Sequence, residues 1–216
     1  METLVEKMIQ SPKLPNYLAE IQDFWAKEQQ KRKQFYEQIE ENKKMEFING
    51  EIYFQSPVKL RHGNAANLLF NLLFNYVLTH DLGQLGYEKL LVSLTRNDYE
   101  PDICFWRKKI SQHFLPTQMQ FPAPDLVVEV LSPSTEKHDR EVKFEDYANH
   151  GVNEYWIIDA EKQVIEQYIN ENNIYQLKHK AEGKEIIFCQ TLVGFNIPAN
   201  VVFDENENMK FLKTLI

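Results

Sequence analysis

The chain has 216 residues, of which 43% are hydrophobic and 12% aromatic, and its formal net charge at pH 7 is −8. This composition can fill the core of one domain of ordinary size and excludes a chain that is mostly disordered. The negative charge argues against a protein that coats nucleic acid by bulk attraction, but it leaves local basic patches open.

The N-terminus, "METLVEKMIQSPKLPNY", carries acids and a proline where a signal peptide needs an apolar core. No apolar run reaches the roughly 18 to 20 residues of a membrane span. The two cysteines, Cys104 and Cys189, lie far apart in apolar surroundings, which favours reduced core thiols over a disulfide. These features predict a soluble, cytoplasmic protein without a membrane partner.

The first predicted element is a long helix over residues 16–44, a stretch without glycine or proline and dense in Glu, Gln, Lys and Ala. Apolar side chains recur along it at partly helical spacing: Leu18, Ile21, Phe24, Trp25 and Phe35. The helix is expected to pack on the domain or on a second chain, so a homodimer stays open. We divide the chain into a helical arm, 1–44, and a single domain, 45–216.

Strands and one helix are predicted next. "MEFINGEIYFQS" alternates polar and apolar residues around Asn49-Gly50, the dipeptide most typical of a two-residue hairpin turn. From Arg61 the leucine spacing predicts a helix that ends near Leu82-Gly83. "KLLVSLTR" and "DICFWR" are typical of strands, and residues 108–124, with three prolines, are predicted to form a loop.

The second half opens on "PDLVVEVLSPST", which predicts a buried strand that carries Glu129 in its middle. Ser134 or Thr135 is expected to cap a following helix that Gly151 ends. "EYWIID" predicts a further buried strand, and the turn signals beyond it indicate an antiparallel β-meander. The fold class is therefore α/β of the mixed α+β kind.

Two acids on neighbouring strands suggest a catalytic or metal-binding site. Asp102 lies at the start of "DICFWR", and Glu129 shares one strand face with Asp125. An unpaired buried carboxylate is costly, so two that face each other must raise a pKa or hold a cation. Oxygen ligands suit Mg²⁺ or Mn²⁺, with Asp102 and Glu129 as the metal ligands. A structural ion pair with a core Arg or Lys is the alternative, and Asp125 also suits a turn or cap.

Lys143 is the candidate cation that orients or activates a water beside these acids. It lies in the helix after the strand, four residues past Asp139 and hence on the same helical face. An exposed lysine paired with Asp139 is the alternative, since such pairs are common on helix surfaces.

Six stretches are distinctive in their order and spacing. They are "MEFINGEI", the histidine of "RHGNAANLL", "EPDICFW", "PDLVVEVLSPST", the Asp, Lys and Tyr of "DREVKFEDY", and "GVNEYWIID". Together they resemble the Uma2 family of restriction-endonuclease-like proteins, within the PD-(D/E)xK nuclease superfamily. The resemblance covers residues 45–159 and extends through the meander to Phe203, whereas the helix before Met45 is longer than the family leads one to expect.

The resemblance implies a restriction-endonuclease-like core, with a mixed β-sheet flanked by helices, and catalytic roles for particular residues. Asp102 and Glu129 match the metal-binding acids. The motif's lysine would stand at Leu131, and family members of this type supply it from the following helix, where Lys143 fits.

Two further catalytic candidates, Glu46 and His62, match positions that recur in the family ahead of the core motif. In the wider superfamily an early acid often touches a metal-bound water. Glu46 could instead pair with a lysine beside the hairpin, and His62 could cap the helix that begins near it.

The function implied is that of a Mg²⁺-dependent, or Mn²⁺-dependent, endonuclease that hydrolyses DNA phosphodiester bonds. Basic clusters at 59–62, 107–109 and 137–143 could contact phosphates, although each is interspersed with acids. One alternative is a catalytically inactive nuclease-like fold that binds nucleic acid or protein. Another is an interaction protein that uses the long N-terminal helix.

Overall fold

The N-terminal region forms two helices in the computed structural model, which describes residues 3–40 and 43–215. Helix α1 spans Leu4–Gln10 and helix α2 spans Leu14–Gln38, with Pro15 in the first turn of α2, where its missing N–H costs nothing. The long helix is therefore present but ends at Gln38, before the predicted end at Lys44. Residues 41–42 of that prediction lie outside the described residues.

A five-stranded sheet follows the arm. Its strands, in spatial order, are β2 (Glu51–Phe54), β1 (Met45–Ile48), β5 (Asp98–Tyr99), β4 (Leu91–Ser93) and β7 (Gln120–Phe121). The β1–β2 turn has positive φ at both Asn49 (50°) and Gly50 (84°), the backbone that a two-residue hairpin turn needs. The predicted hairpin is thus confirmed.

A six-stranded mixed sheet forms the centre of the domain. Its strands, in spatial order, are β11 (Ile174–Glu182), β10 (Val164–Glu171), β9 (Glu154–Asp159), β8 (Leu126–Val130), β6 (Ile103–Arg107) and β3 (Gly83–Tyr87). Strands β8 and β9 are parallel and the other neighbours are antiparallel. The predicted mixed sheet is confirmed, and β9 to β11 form its antiparallel meander.

The remaining helices differ in part from the prediction. Their bounds are α3 Leu60–Thr79, α4 Lys108–Ser111, α5 Glu136–Arg140, α6 Val142–Asn149 and α7 Glu205–Leu215. The single helix predicted after Ser134 is two helices, because Glu141 has non-helical backbone angles (φ −115°, ψ −89°). The predicted loop 108–124 contains α4 and β7. At the C-terminus, β12 (Ile186–Phe188), which lies within the predicted meander, pairs with β13 (Asn196–Pro198) in a separate two-stranded sheet. A 3-10 turn (Ala199–Val202) and α7 follow, and the sequence patterns did not predict α7.

The central sheet is buried on both faces. On β8, the side chains of Leu126, Val128 and Val130 pack in the core beneath α3, whereas Val127 packs with Tyr147 of α6. Because strand residues alternate in direction, Glu129 lies on the α6 side. Both cysteines are buried free thiols, as predicted. Within the described ranges, no helix combines the length and apolarity that a membrane crossing requires.

Helix α2 is tied to the small sheet by a buried ion pair. Arg32 donates from Nε to Asp98 Oδ2 at 2.6 Å and from Nη2 to Asp98 Oδ1 at 2.9 Å. It also donates to the backbone carbonyls of Leu94 and Thr95. These contacts hold β5, and therefore the chain just before Asp102, against the helix.

The substitution Arg32→Ala is expected to lower the free energy of unfolding by about 3–5 kcal/mol, because it leaves the Asp98 carboxylate buried without its cation. Urea titration followed by circular dichroism measures this. Lys27→Ala, which removes an exposed pair with Asp23 on the same helix, is the control and should cost under about 1 kcal/mol. Equal costs for the two variants would contradict the prediction.

Candidate active site

Asp102 and Glu129 meet where the chain passes from the small sheet into the central one. Asp102 directly precedes β6, whose Ile103 lies opposite Val128 of β8. Asp102 Oδ2 accepts the backbone N–H of Val130 at 2.8 Å, and Glu129 Oε2 accepts the backbone N–H of Asp102 at 3.4 Å. The adjacency of the two acids that the strand pattern predicted is therefore present.

Lys143 lies over the same face of the sheet and contacts three carboxylates. Its Nζ is 2.9 Å from Glu46 Oε1, 3.1 Å from Glu129 Oε1 and 3.0 Å from Asp139 Oδ1. The pair with Asp139 that the helix spacing predicted is formed. It is not an exposed pair, since Lys143 has no solvent-exposed surface.

Glu46 reaches this cluster from β1. Besides Lys143, its Oε1 accepts the backbone N–H of Glu100 at 3.0 Å, while Glu100 Oε2 accepts the N–H of Met45 at 2.9 Å. The cation it contacts is thus a helix lysine rather than one beside the hairpin. These reciprocal bonds fix the small sheet to the segment that carries Asp102.

His62 lies in the first turn of α3 and points toward Asp102. Its Nε2 is 3.4 Å from Asp102 Oδ2, and its Nδ1 is buried without a hydrogen-bond partner. The residue at the helix N-cap is Lys59, and no side chain caps α3. The capping alternative for His62 is therefore not what the structure shows.

Lys44 is a member of the cluster that the sequence reasoning missed. Its Nζ is 2.8 Å from Asp102 Oδ1, and the side chain is largely buried. A signal for it existed, because Lys44 and Glu46 stand two residues apart at the start of a strand and so share a face. Asp139, considered only as a surface partner of Lys143, is the other buried member.

The cluster carries more negative than positive charge. Four buried carboxylates, those of Glu46, Asp102, Glu129 and Asp139, face the two ammonium groups of Lys44 and Lys143. Even a protonated His62 leaves the acids in excess. A buried excess of this kind must be relieved by protons or by a further cation.

The pKa shifts express the same imbalance. Burial raises the pKa of the Glu129 carboxyl well above its ordinary value, against the opposing charge of Lys143. Burial likewise raises the pKa of Asp139. Asp102 differs: burial again opposes its charged form, but His62 and Lys44 together hold its pKa below the ordinary value. The pKa of Lys143 is raised by its three acids despite burial, so its ammonium stays charged.

A small recess and an adjoining cleft lie beside this cluster. A recess of about 10 Å³, enough for about one water, is lined by His62, Asp102, Glu129 and Lys143. It shares wall residues with an adjoining cleft of about 300 Å³ whose basic side chains are Lys59, Arg61 and Lys162. Arg61 pairs with Glu161 and Lys162 with Asp159, so the basic side chains of the cleft alternate with acids.

Asp125 lies outside the cluster, although it shares a strand face with Glu129. Its Oδ1 accepts from Arg107 Nη1 at 2.8 Å and its Oδ2 accepts the backbone N–H of Arg107 at 2.8 Å. This carboxylate therefore anchors the end of β6.

A metal bound here would have few protein ligands. Within residues 3–40 and 43–215, no group of three or more His, Cys, Asp or Glu side chains is arranged to hold a metal ion. Asp102 and Glu129 supply two carboxylates next to a water-sized recess. That donor set fits Mg²⁺, which takes one or two carboxylates and keeps several waters.

The sequence of residues 32–200 matches the model of the Uma2 family, described as "Putative restriction endonuclease". The chain belongs to the Uma2 family. An uncharacterized Synechocystis protein, slr1290, is 33% identical over 134 residues, which cover 59% of this chain and 67% of that protein. Residues 32–200, which match the family model, contain every member of the acid and lysine cluster and begin inside α2.

A solved structure supports the fold of this Uma2 protein. The crystal structure of an Anabaena variabilis protein, described as a "putative nuclease belonging to DUF820", superposes with a TM-score of 0.68 and 17% sequence identity. The alignment covers 78% of this chain and 94% of that one. At this identity the likeness shows the shared fold, and the mixed β-sheet flanked by helices that the sequence predicted is confirmed.

Proposed function

We propose that this protein is a Mg²⁺-dependent endonuclease that hydrolyses DNA phosphodiester bonds. The observation that carries the proposal is the excess of buried carboxylates at the junction of β6 and β8, beside a recess that shares wall residues with a cleft. A binding surface has no need for such an excess, which is costly to bury and repels DNA. The family's description supports the reaction class.

Asp102 and Glu129 are the residues that would hold the metal, through carboxylates fixed on neighbouring strands. When bound, Mg²⁺ or Mn²⁺ would supply Lewis-acid stabilisation of the phosphate and a more acidic water. Rigid strands suit this task because small misplacements of a metal ligand are costly for catalysis.

The lysines have distinct proposed roles. Lys143 holds Glu129 in place, because the contacts of its ammonium are to Glu129, Glu46 and Asp139. Lys44 neutralises Asp102, and its side chain is partly exposed. Its ammonium would therefore compete with a metal ion for Asp102, and it can contact a bound phosphate. His62 restricts Asp102 from the opposite side.

The cleft beside the recess is the proposed path of the DNA strand. Lys59, Arg61 and Lys162 lie along it and can contact phosphate oxygens, which are the groups that fix register without reading sequence. Because contacts between these basic side chains and phosphates release counterions, binding is predicted to weaken steeply with added salt.

Nicking of supercoiled plasmid by the purified protein tests the proposal, with Mg²⁺ or Mn²⁺ and then with EDTA. Metal-dependent conversion of supercoiled to relaxed plasmid is expected. Absence of cutting with either ion, in protein shown to be folded, would favour the second candidate. That candidate is an inactive fold that binds nucleic acid, and the observation for it is that protein groups already contact both oxygens of Asp102.

Metal binding is predicted to stabilise the folded protein independently of cutting. At about 100 times the dissociation constant, a ligand that binds only the folded state adds about 2.7 kcal/mol. For a chain of this length that corresponds to a rise in Tm of roughly 5–10 °C. Calorimetry with MgCl₂ against NaCl of equal ionic strength measures it, and Glu129→Gln should lose the shift. An equal rise in both salts would exclude specific binding.

A further inference from the structure

The face of α2 that packs on the domain continues beyond the domain as an apolar strip. Residues along this face follow alternating steps of four and three, the spacing of a coiled-coil seam. They are Leu14, Leu18, Ile21, Trp25, Glu28, Arg32 and Phe35. From Glu28 onward the seam is buried, whereas Leu18 (48%), Ile21 (51%) and Trp25 (40%) are exposed. We call residues 14–25 of this face the open seam.

The buried part of the seam binds the domain through ion pairs and apolar packing. Glu28 accepts both Nε and Nη2 of Arg96, at 2.7 and 2.8 Å. Arg32 binds Asp98, and Phe35 packs with Met45 and Phe47. Toward the N-terminus the same face is apolar and exposed at Leu18, Ile21 and Trp25.

The positions beside the open seam indicate what kind of surface covers it. Tyr17, Gln22 and Phe24 flank it and carry no charge, and Phe24 is 57% exposed. The charged residues of this half lie on the far side of the helix, where Asp23 and Lys27 pair with each other. An identical helix can therefore approach the open seam without placing like charges opposite each other.

We infer that the open seam binds the open seam of a second copy of this chain, as an antiparallel pair of helices. In that arrangement Leu18 faces the partner's Ile21, and Leu14 faces the partner's Trp25. The large and small side chains thus complement each other across a two-fold axis. A parallel pair is disfavoured, because each domain occupies the continuation of the seam at the same helix end.

The exposed surface is large enough for this pairing. Three further apolar side chains on the neighbouring helix α1 are also exposed: Leu4, Val5 and Ile9. With the open seam and Phe24 they offer roughly 600–700 Å² of apolar surface per chain, close to the about 800 Å² per partner of a specific interface. The aromatic pair Phe24 and Trp25 adds residue types that are enriched in protein interfaces.

Sedimentation equilibrium of the full chain tests the inference. Wild type is expected at twice the chain mass of 25.7 kDa. The double substitution Leu18→Glu with Ile21→Glu should give the mass of one chain, because it places four carboxylates in the interface of two copies. Ala19→Glu with Ala26→Glu adds the same charge to the outer face of the same helix and should remain a dimer.

Folding of each variant is checked by urea unfolding followed by far-ultraviolet circular dichroism, since a folded domain should keep a cooperative transition whatever its oligomeric state. A single-chain mass for wild type, or an unchanged dimer in the seam variant, would overturn the inference. A monomeric outer-face variant would also overturn it, since the pairing would then not depend on the seam. None of these outcomes depends on nuclease activity.

Discussion

Glu129→Gln is expected to abolish metal-dependent nicking while leaving the protein at least as stable as wild type. Gln keeps the shape of the side chain but removes a charge that burial disfavours, as the raised pKa of Glu129 indicates. Loss of one metal ligand should lower the rate by at least about 10²–10³-fold, the scale of removing one electrostatic contact to a transition state. The measurement is plasmid nicking in Mg²⁺ paired with urea unfolding of the same preparation.

The matched control is Glu136→Gln, on the exposed rim of the adjoining cleft, which should retain most of its activity. Lost activity together with lost stability in Glu129→Gln would assign Glu129 a structural role instead. Retained activity in folded Glu129→Gln would exclude it as a required ligand. Asp102→Asn provides an independent comparison, since its carboxylate belongs to the same proposed metal site.

Lys143→Met is expected to cause a large loss of stability. It preserves the length of the apolar stem but leaves three buried carboxylates without their shared ammonium. Removing one partner of a buried ion pair costs about 3–5 kcal/mol, a large share of the roughly 5–15 kcal/mol that stabilises a domain. Urea unfolding measures it, and Lys180→Met, an exposed lysine paired with Glu166, is the control that should change stability by under about 1 kcal/mol.

The deficit of Lys143→Met should grow as pH rises. Burial raises the folded-state pKa of Glu129 and Asp139 above the unfolded values, so both acids support folding when protonated and oppose it as they ionise. Without Lys143, which lowers the pKa of Glu129, the opposition is stronger. The loss should therefore be smaller near pH 5 than near pH 8, and adding Asp139→Asn should recover part of it. A loss independent of pH would contradict this electrostatic explanation.

The sequence predicted the acids better than their partners. Asp102 and Glu129 could be placed together because strand alternation and the order of motifs are local properties, and β6 and β8 do pair. The contacts of Lys143 were harder to predict from the sequence, because Glu46 comes from a separate sheet and Asp139 was considered only as a surface partner. Lys44 was missed, since its contact with Asp102 spans 58 residues.

The predicted ends of helices were wrong where tertiary contacts override local helix propensity. Residues with high helix propensity continue past Gln38, yet the helix ends before β1 enters the small sheet. The break at Glu141 divides a segment with an uninterrupted helical pattern. The C-terminal helix α7 was not predicted, although its Asn208 is fully buried and bonds to backbone carbonyls of α3 and the 3-10 turn.

The sequence by itself determined the family, the mixed sheet, the turn at Asn49-Gly50 and the two acids, because each depends on periodicity or on a short motif. Only the tertiary structure decided that Lys143 is buried among three carboxylates, that Lys44 covers Asp102, and that the seam of α2 is half buried and half open. Those features depend on which distant segments meet. Burial then sets the strength of every charge interaction. In the low-dielectric interior an unpaired charge strongly destabilises the fold, and even a paired charge has lost its hydration.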